Sequence, residues 1–198
     1  MRRVAVLAVA AILSGCAGLK TGQAPRYYTL EAPAAPAEAG AVRNEAVLVL
    51  APATVASFYD TQDIVYSRTP GSLAYYQFSR WTEPPGVPLT RQLAARIDQS
   101  KAYRVVAIAG SGVGGNLILA THVEEIYHDA AEVPGTARVT LTAEMVDTSR
   151  RVLVGRRRFS ASVPVPSHDA AGAVAGCRLA VGIVFDQIVV WIDELAAP

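Results

Sequence analysis

The stretch from Asn116 to Val163, NLILATHVEEIYHDAAEVPGTARVTLTAEMVDTSRRVLVGRRRFSASV, decides the fold. It holds three strand-length runs, Asn116 to Tyr127, Thr136 to Asp147 and Arg151 to Val163, each rich in β-branched and apolar residues. Pro134-Gly135 and Thr148-Ser149 separate them as turns. Connections this short exclude the crossovers that parallel strands need, so the three runs predict an antiparallel meander. Directly after it, Pro166-Ser167-His168-Asp169 supplies a helix start signal. Cys177, Val181, Val184, Ile188, Trp191 and Leu195 then recur at steps of four and three, one apolar stripe on a long C-terminal helix. Arg178, Asp186, Gln187, Asp193 and Glu194 are expected to face water.

Working back from the meander, Tyr103 to Ile108 reads as a short strand. Before it, Pro84, Pro85 and Pro88 mark the entry of a helix on which Leu89, Leu93 and Ile97 repeat every four residues. Arg91, Arg96 and Asp98 point away from that stripe, and the helix ends near Ser100-Lys101. Ile64 to Ser67 and Leu73 to Phe78 form a strand pair turning at Arg68-Thr69-Pro70-Gly71. Ala46 to Leu50 reads as a buried strand and Tyr27 to Leu30 as a short one. The fold class is therefore α+β: an antiparallel or mixed sheet packed against two helices, the long C-terminal one included.

The amino terminus sets the compartment. Arg2 and Arg3 precede an apolar run from Val4 to Leu13, which ends in Ser14-Gly15-Cys16. That order is a secretory signal peptide, about half the roughly twenty residues that a spanning helix needs. Leu13-Ser14-Gly15-Cys16 resembles a bacterial lipobox, in which the cysteine sulfur takes a diacylglycerol and its freed amino group an acyl chain. Residues 1–15 are thus expected to be removed, 16–26 to be a lipidated tether, and 27–198 to be one domain with an Ala/Pro-rich loop at about 32–44. No second apolar run is expected to span a bilayer, so the lipid on Cys16 is the expected membrane attachment.

Composition narrows the function. Of 198 residues 52% are hydrophobic, enough for a core. The formal charge is +1, and loss of Arg2 and Arg3 brings it to near balance, so no basic excess points to nucleic acid. Lipidation of Cys16 leaves Cys177 without an internal disulfide partner, and its apolar surroundings predict a buried thiol.

Several patterns invite chemistry. Gly110-Ser111-Gly112-Val113-Gly114-Gly115 lacks the Lys-Ser/Thr and the following helix of a phosphate cradle, so it reads as a connection. Strand alternation places His122, Glu124 and His128 on one face, but His128 lies six residues on, roughly 20 Å away and too far to share an ion, so they read as solvated polar residues. No Gly-x-Ser-x-Gly occurs, and no pattern asks for a cofactor. The reading is non-enzymatic. Arg150, Arg151, Arg156, Arg157 and Arg158 either guard an edge strand by charge or meet anionic headgroups or an acidic partner. The aromatics from Phe58 to Trp81 divide between core and docking surface.

Taken in order, the lipobox, Tyr27-Tyr28-Thr29-Leu30, Ile64-Val65-Tyr66-Ser67-Arg68, Tyr76-Gln77-Phe78-Ser79-Arg80-Trp81-Thr82-Glu83-Pro84, Leu89-Thr90-Arg91-Gln92-Leu93 and Gly155-Arg156-Arg157-Arg158-Phe159 resemble the ABC-type transport auxiliary lipoproteins, including their PqiC-like outer-membrane members. The resemblance implies a non-enzymatic periplasmic subunit. Its implied partners are an ABC permease and ATPase and an MCE-domain protein that carries lipid between the inner and outer membranes. It also implies assembly as rings and a seat on the periplasmic face of the outer membrane, with which Ala17 after Cys16 agrees. Tyr66, Arg68, Tyr76, Arg80 and Trp81 belong to the family pattern, where they either shape the fold or form the partner-binding surface. The alternative is a lipoprotein that itself holds a lipid or solute between the sheet and the C-terminal helix.

Overall fold

The computed structural model describes residues 23–34 and 42–196. Cys16, the signal peptide and most of the tether lie outside the described residues. The strands in chain order are β1 (Arg26–Tyr28), β2 (Asn44–Leu50), β3 (Thr54–Val55), β4 (Asp63–Ser67) and β5 (Ala74–Trp81). Helix α1 (Gly86–Ser100) follows, then β6 (Tyr103–Ile108), β7 (Leu117–Asp129), β8 (Thr136–Asp147), β9 (Val152–Pro164) and helix α2 (Ala170–Ala196). The chain is α+β, and its described residues form one mixed sheet and two helices.

The predicted meander is the spine. β7, β8 and β9 pair antiparallel over nearly their whole lengths. The other edge of β7 carries three short strands laid end to end, all parallel to it. β2 meets Leu117–Leu119, β3 meets His122 and Val123, and β4 meets His128 and Asp129. Outside them β6 pairs parallel with β2, β5 antiparallel with β4, and β1 parallel with β5. The β2–β6 pairing needs a crossover, and α1 lies within it.

Both helices lie against the sheet, α2 across β7, β8 and β9 and α1 against β6, touching each other at one seam. Ala173, Ala180, Val181, Val184, Phe185 and Ile188 of α2 are fully buried, as are Ala137, Val139, Ala143 and Met145 of β8. Full burial of one such Val, Ile or Phe stabilises the fold by roughly 1.5–3 kcal/mol, so this layer is the main source of stability. The approach is close: a Cβ on Gly176 would stand 2.7 Å from Ala137 Cβ and 2.8 Å from Val165 Cγ1. By length and composition α2 could cross a membrane, yet its apolar face is spent on the sheet.

Two expectations about polar residues change. Arg96 does not point away into water but is 8% exposed, with Nε 2.9 Å from Asp186 Oδ1 and a guanidinium N–H donated to the Pro33 carbonyl at 3.2 Å. It closes the seam between α1 and α2. Arg178 is half-buried as well, donating to the carbonyl and hydroxyl oxygens of Thr29. Helix α1 ends at Ser100 as expected, with Lys101 in the left-handed region at φ 57°.

Candidate functional site

β7 carries one extra residue. Val123 pairs with Leu141 and Glu125 with Thr140, so Glu124 bulges and the alternation inverts after it. His128 therefore does not share a solvent face with His122 and Glu124. It is 1% exposed, on the helix-covered side with Ile126. This corrects the expectation of a solvated histidine: single-residue parity holds only while the ladder is regular.

β5 supplies the partner for that imidazole. The Tyr76 hydroxyl donates to His128 Nδ1 at 2.7 Å, while His128 Nε2 donates to the Pro134 carbonyl at 3.0 Å. A carbonyl can only accept, which fixes these roles. His168, just before α2, donates from Nδ1 to the same carbonyl at 3.1 Å. Burial holds the His128 pKa below its ordinary value and pushes the Tyr76 phenol up to about 12. Both groups are thus neutral at physiological pH, and the pair serves as a pin between β5, β7 and the β7–β8 turn.

The five family-pattern residues fall on one hairpin but not in one patch. Tyr66 packs against Tyr76 with ring centroids 4.7 Å apart, and the Arg68 guanidinium lies 5.1 Å above the Tyr66 ring. Arg80 is exposed and faces Asp63 across β4–β5, its Nε 3.1 Å from the carboxylate. Trp81 is 3% exposed and belongs to the core, so it offers no surface to a partner. The hairpin thus spends Tyr76 and Trp81 on folding and leaves Arg68 and Arg80 outward. Tyr75 points to the opposite face and stacks on Phe58 at 4.7 Å. Asp63, His168 and Pro134 join the pattern only in space: the sequence marks Pro134 as a turn residue and His168 as part of a helix start, and nothing in it links them to the hairpin.

Each of three clustered arginines finds an acid. Arg156 pairs with Glu144 at 3.1 Å, Arg157 with Glu194 at 3.1 Å and Arg158 with Glu124 at 2.7 Å. Hydrogen bonds from the Thr142 hydroxyl and the Arg158 guanidinium hold the Glu124 carboxyl below its usual range. Among the described residues β9 pairs with β8 alone, so these charges line a sheet edge, and the edge-guarding reading is the one that the geometry favours.

Other candidates settle into the fold. The Gly-rich stretch connects β6 to β7, with Gly110 and Gly112 at φ +91° and +82°, and no helix follows it. His122 Nδ1 lies 2.8 Å from the Thr54 hydroxyl. Among the described residues no three His, Cys, Asp or Glu side chains gather as a metal site would need. Cys177 is 1% exposed, and burial pushes its thiol up to about 12. A shallow groove runs between α2 and β9, lined by Arg157, Phe159, Ile183, Asp186, Gln187 and Val190. It lies outside the filled layer between sheet and helix, where the alternative reading placed a lipid.

No relative is found among curated protein sequences. Solved structures share the fold. A Xanthomonas campestris protein of the family model DUF330 matches with a TM-score of 0.77 at 23% identity, covering 86% of this chain and 96% of its own. An uncharacterised protein matches at 0.64 and 13% identity, covering 86% and 97%. A hypothetical Chlamydia trachomatis protein matches at 0.50 and 11%, covering 77% and 98%. These identities speak for the fold alone. The family model that describes the ABC-type transport auxiliary lipoprotein component matches residues 28–189, from the last residue of β1 to well along α2. That span takes in the spine, the pinned hairpin, α1 and most of α2, and the chain therefore belongs to the ABC-type transport auxiliary lipoprotein family.

Proposed function

We propose that this protein is a non-enzymatic docking subunit of an ABC/MCE-type lipid transport system, lipid-anchored through Cys16 on the periplasmic face of the outer membrane. The family match over residues 28–189 carries the reading, since it describes an auxiliary component of ABC transport. The lipobox ending at Cys16 supports the anchor, and Ala17 supports outer-membrane sorting. In this reading the acyl chains fix the position, and the folded domain gives an MCE-domain protein and its ABC permease and ATPase a place to meet the membrane.

Arg80 is the proposed partner contact. It is exposed on β5 and stands opposite Tyr27 in register, and Tyr27 is 56% exposed. Tyr66, Tyr76 and Trp81 keep that strand in place, and Arg68 covers Tyr66. The test expresses the full chain with its neighbouring transport proteins and extracts the membranes in mild detergent. The reading predicts an intact mass beginning at acylated Cys16, recovery with the outer membrane, and co-elution of an MCE-domain protein. An unacylated chain that elutes alone would overturn it.

A further inference from the structure

β4 and β7 run parallel and finish together, with Tyr66 opposite His128 and Ser67 opposite Asp129. The β4–β5 turn and the β7–β8 turn therefore leave the sheet at the same end. They are joined there by the Ala130 N–H, which donates to the Ser67 carbonyl at 2.7 Å. The β7–β8 turn is held firmly from inside. His128 and His168 both donate to the Pro134 carbonyl, and the Val165 N–H donates to that of Gly135 at 3.1 Å. Yet this braced turn holds Val133 outward at 80% exposure, the highest among the large hydrophobic residues described. Leu73 stands 37% exposed on the neighbouring turn, and the stacked Phe58 and Tyr75 lie next to it at 37% and 41%.

The chain leading to Cys16 comes from this same end. β1 is parallel to β5 with Arg26 opposite Ser79, so the backbone enters β1 from the side on which β5 starts, that of Leu73 and Tyr75. Ten residue steps from Cys16 to Arg26 reach at most about 35 Å. Six strand residues from Ser79 back to Leu73 span only about 20 Å. A lipid on Cys16 can therefore lie level with the two turns.

We propose that this end of the domain is its membrane face, with Val133 and Leu73 dipped into a lipid bilayer surface and the Phe58–Tyr75 pair at headgroup level. The proposal rests on the Cys16 anchor of the preceding reading and adds the orientation. Two small apolar tips bind a bilayer too weakly to anchor a protein alone, but a tethered lipid holds them at high local concentration. Aromatic rings with a polar edge suit the interface just above. Around the tips the basic Arg68 and Arg138 are offset by Asp129, Glu132 and Asp169, with Arg138 Nε 2.9 Å from the Asp129 carboxylate and His168 alongside, so no basic excess exists to drive headgroup attraction. The contact is apolar and insensitive to salt. Arg80, about 20 Å along β5 from the turn, is then held on the periplasmic side.

The test uses the acylated full chain in vesicles of phosphatidylethanolamine and phosphatidylglycerol, part of it nitroxide-labelled on the acyl chain. An environment-sensitive fluorophore is placed at Val133→Cys, at Leu73→Cys or, as control, at Leu179→Cys on the exposed side of α2. Expected are a blue shift and loss of emission by lipid quenching at 133 and 73, unchanged in high salt, with the 179 label unaffected. A shift without lipid quenching would show these tips covered by protein, a second copy included, and would overturn the proposal. Flotation scores the anchor separately. A chain that floats with both tips in water overturns the orientation alone, while a chain that does not float overturns the anchor and the orientation together.

Discussion

The Tyr76 hydroxyl and His128 Nδ1 stand 2.7 Å apart in a hydrogen bond that ties the β4–β5 hairpin to the spine of the sheet. The same imidazole carries the β7–β8 turn through Pro134. Because burial lowers its pKa, His128 stays neutral in the native state while an unfolded chain protonates it near 6.5. Below that pH the unfolded state binds more protons, so stability falls as pH falls. The contribution is complete above pH 6.5 and is lost progressively toward the lowered native value. His128→Phe should cost about 2–4 kcal/mol in urea unfolding at pH 7.5, and should flatten the decline between pH 7 and pH 5. An unchanged pH slope would show that His128 is not the titrating group.

That bond also marks the limit of what the chain shows before it is folded. The meander and both helices are legible because their periods run unbroken: four and three along Val181, Val184, Ile188 and Trp191, two along Thr136 to Asp147. Glu124 is the exception. Nothing local distinguishes it from Glu125, and the bulge follows from how β8 pairs along the whole strand. Every residue after it is read onto the wrong face, which hides His128. The parallel seats of β2, β3 and β4 along β7, and of β1 on β5, are also long-range, and short segments carry no period that announces a partner. Within the hairpin, Tyr66 to Trp81 can be picked out by pattern, but whether a side chain faces out or in depends on the helix laid over it.

The two neighbours Arg80 and Trp81 should separate folding from docking. Trp81→Ala removes a buried indole and should cost about 3–5 kcal/mol, read by thermal or denaturant unfolding. Arg80→Ala breaks an ion pair between an exposed arginine and the half-buried Asp63 and should cost under about 1 kcal/mol, leaving circular dichroism unchanged. Comparable losses in both variants would place Arg80 within the fold.

The open edge of β9 depends on its arginines. Replacing Arg156, Arg157 and Arg158 together by Ser removes three ion pairs of little individual worth, so the melting temperature should move little. Self-association should increase, because the strand then offers an uncharged edge beside exposed Val152, Leu153 and Val154. Light scattering against protein concentration reads this directly, and a variant as soluble as the parent would refute the guarding role.

Cys177 should be silent in the folded protein. Its thiol lies under α2 with a pKa near 12, so it is neither ionised nor reachable at pH 8. Alkylation by iodoacetamide should follow the unfolding curve in urea, giving an independent probe of helix docking. Rapid modification without denaturant would mean that α2 lifts from the sheet under native conditions.

The proposal that the membrane-held domain presents Arg80 to a transport partner is tested most directly by photo-crosslinking in cells. A photoreactive residue at position 80 of the full, acylated chain is compared with the same residue at 179 and at 158. The account predicts an adduct with an MCE-domain protein from position 80, absent from 179 and 158 and lost when Cys16→Ser prevents anchoring. An adduct from 179 with none from 80, or one that survives loss of the anchor, would contradict it.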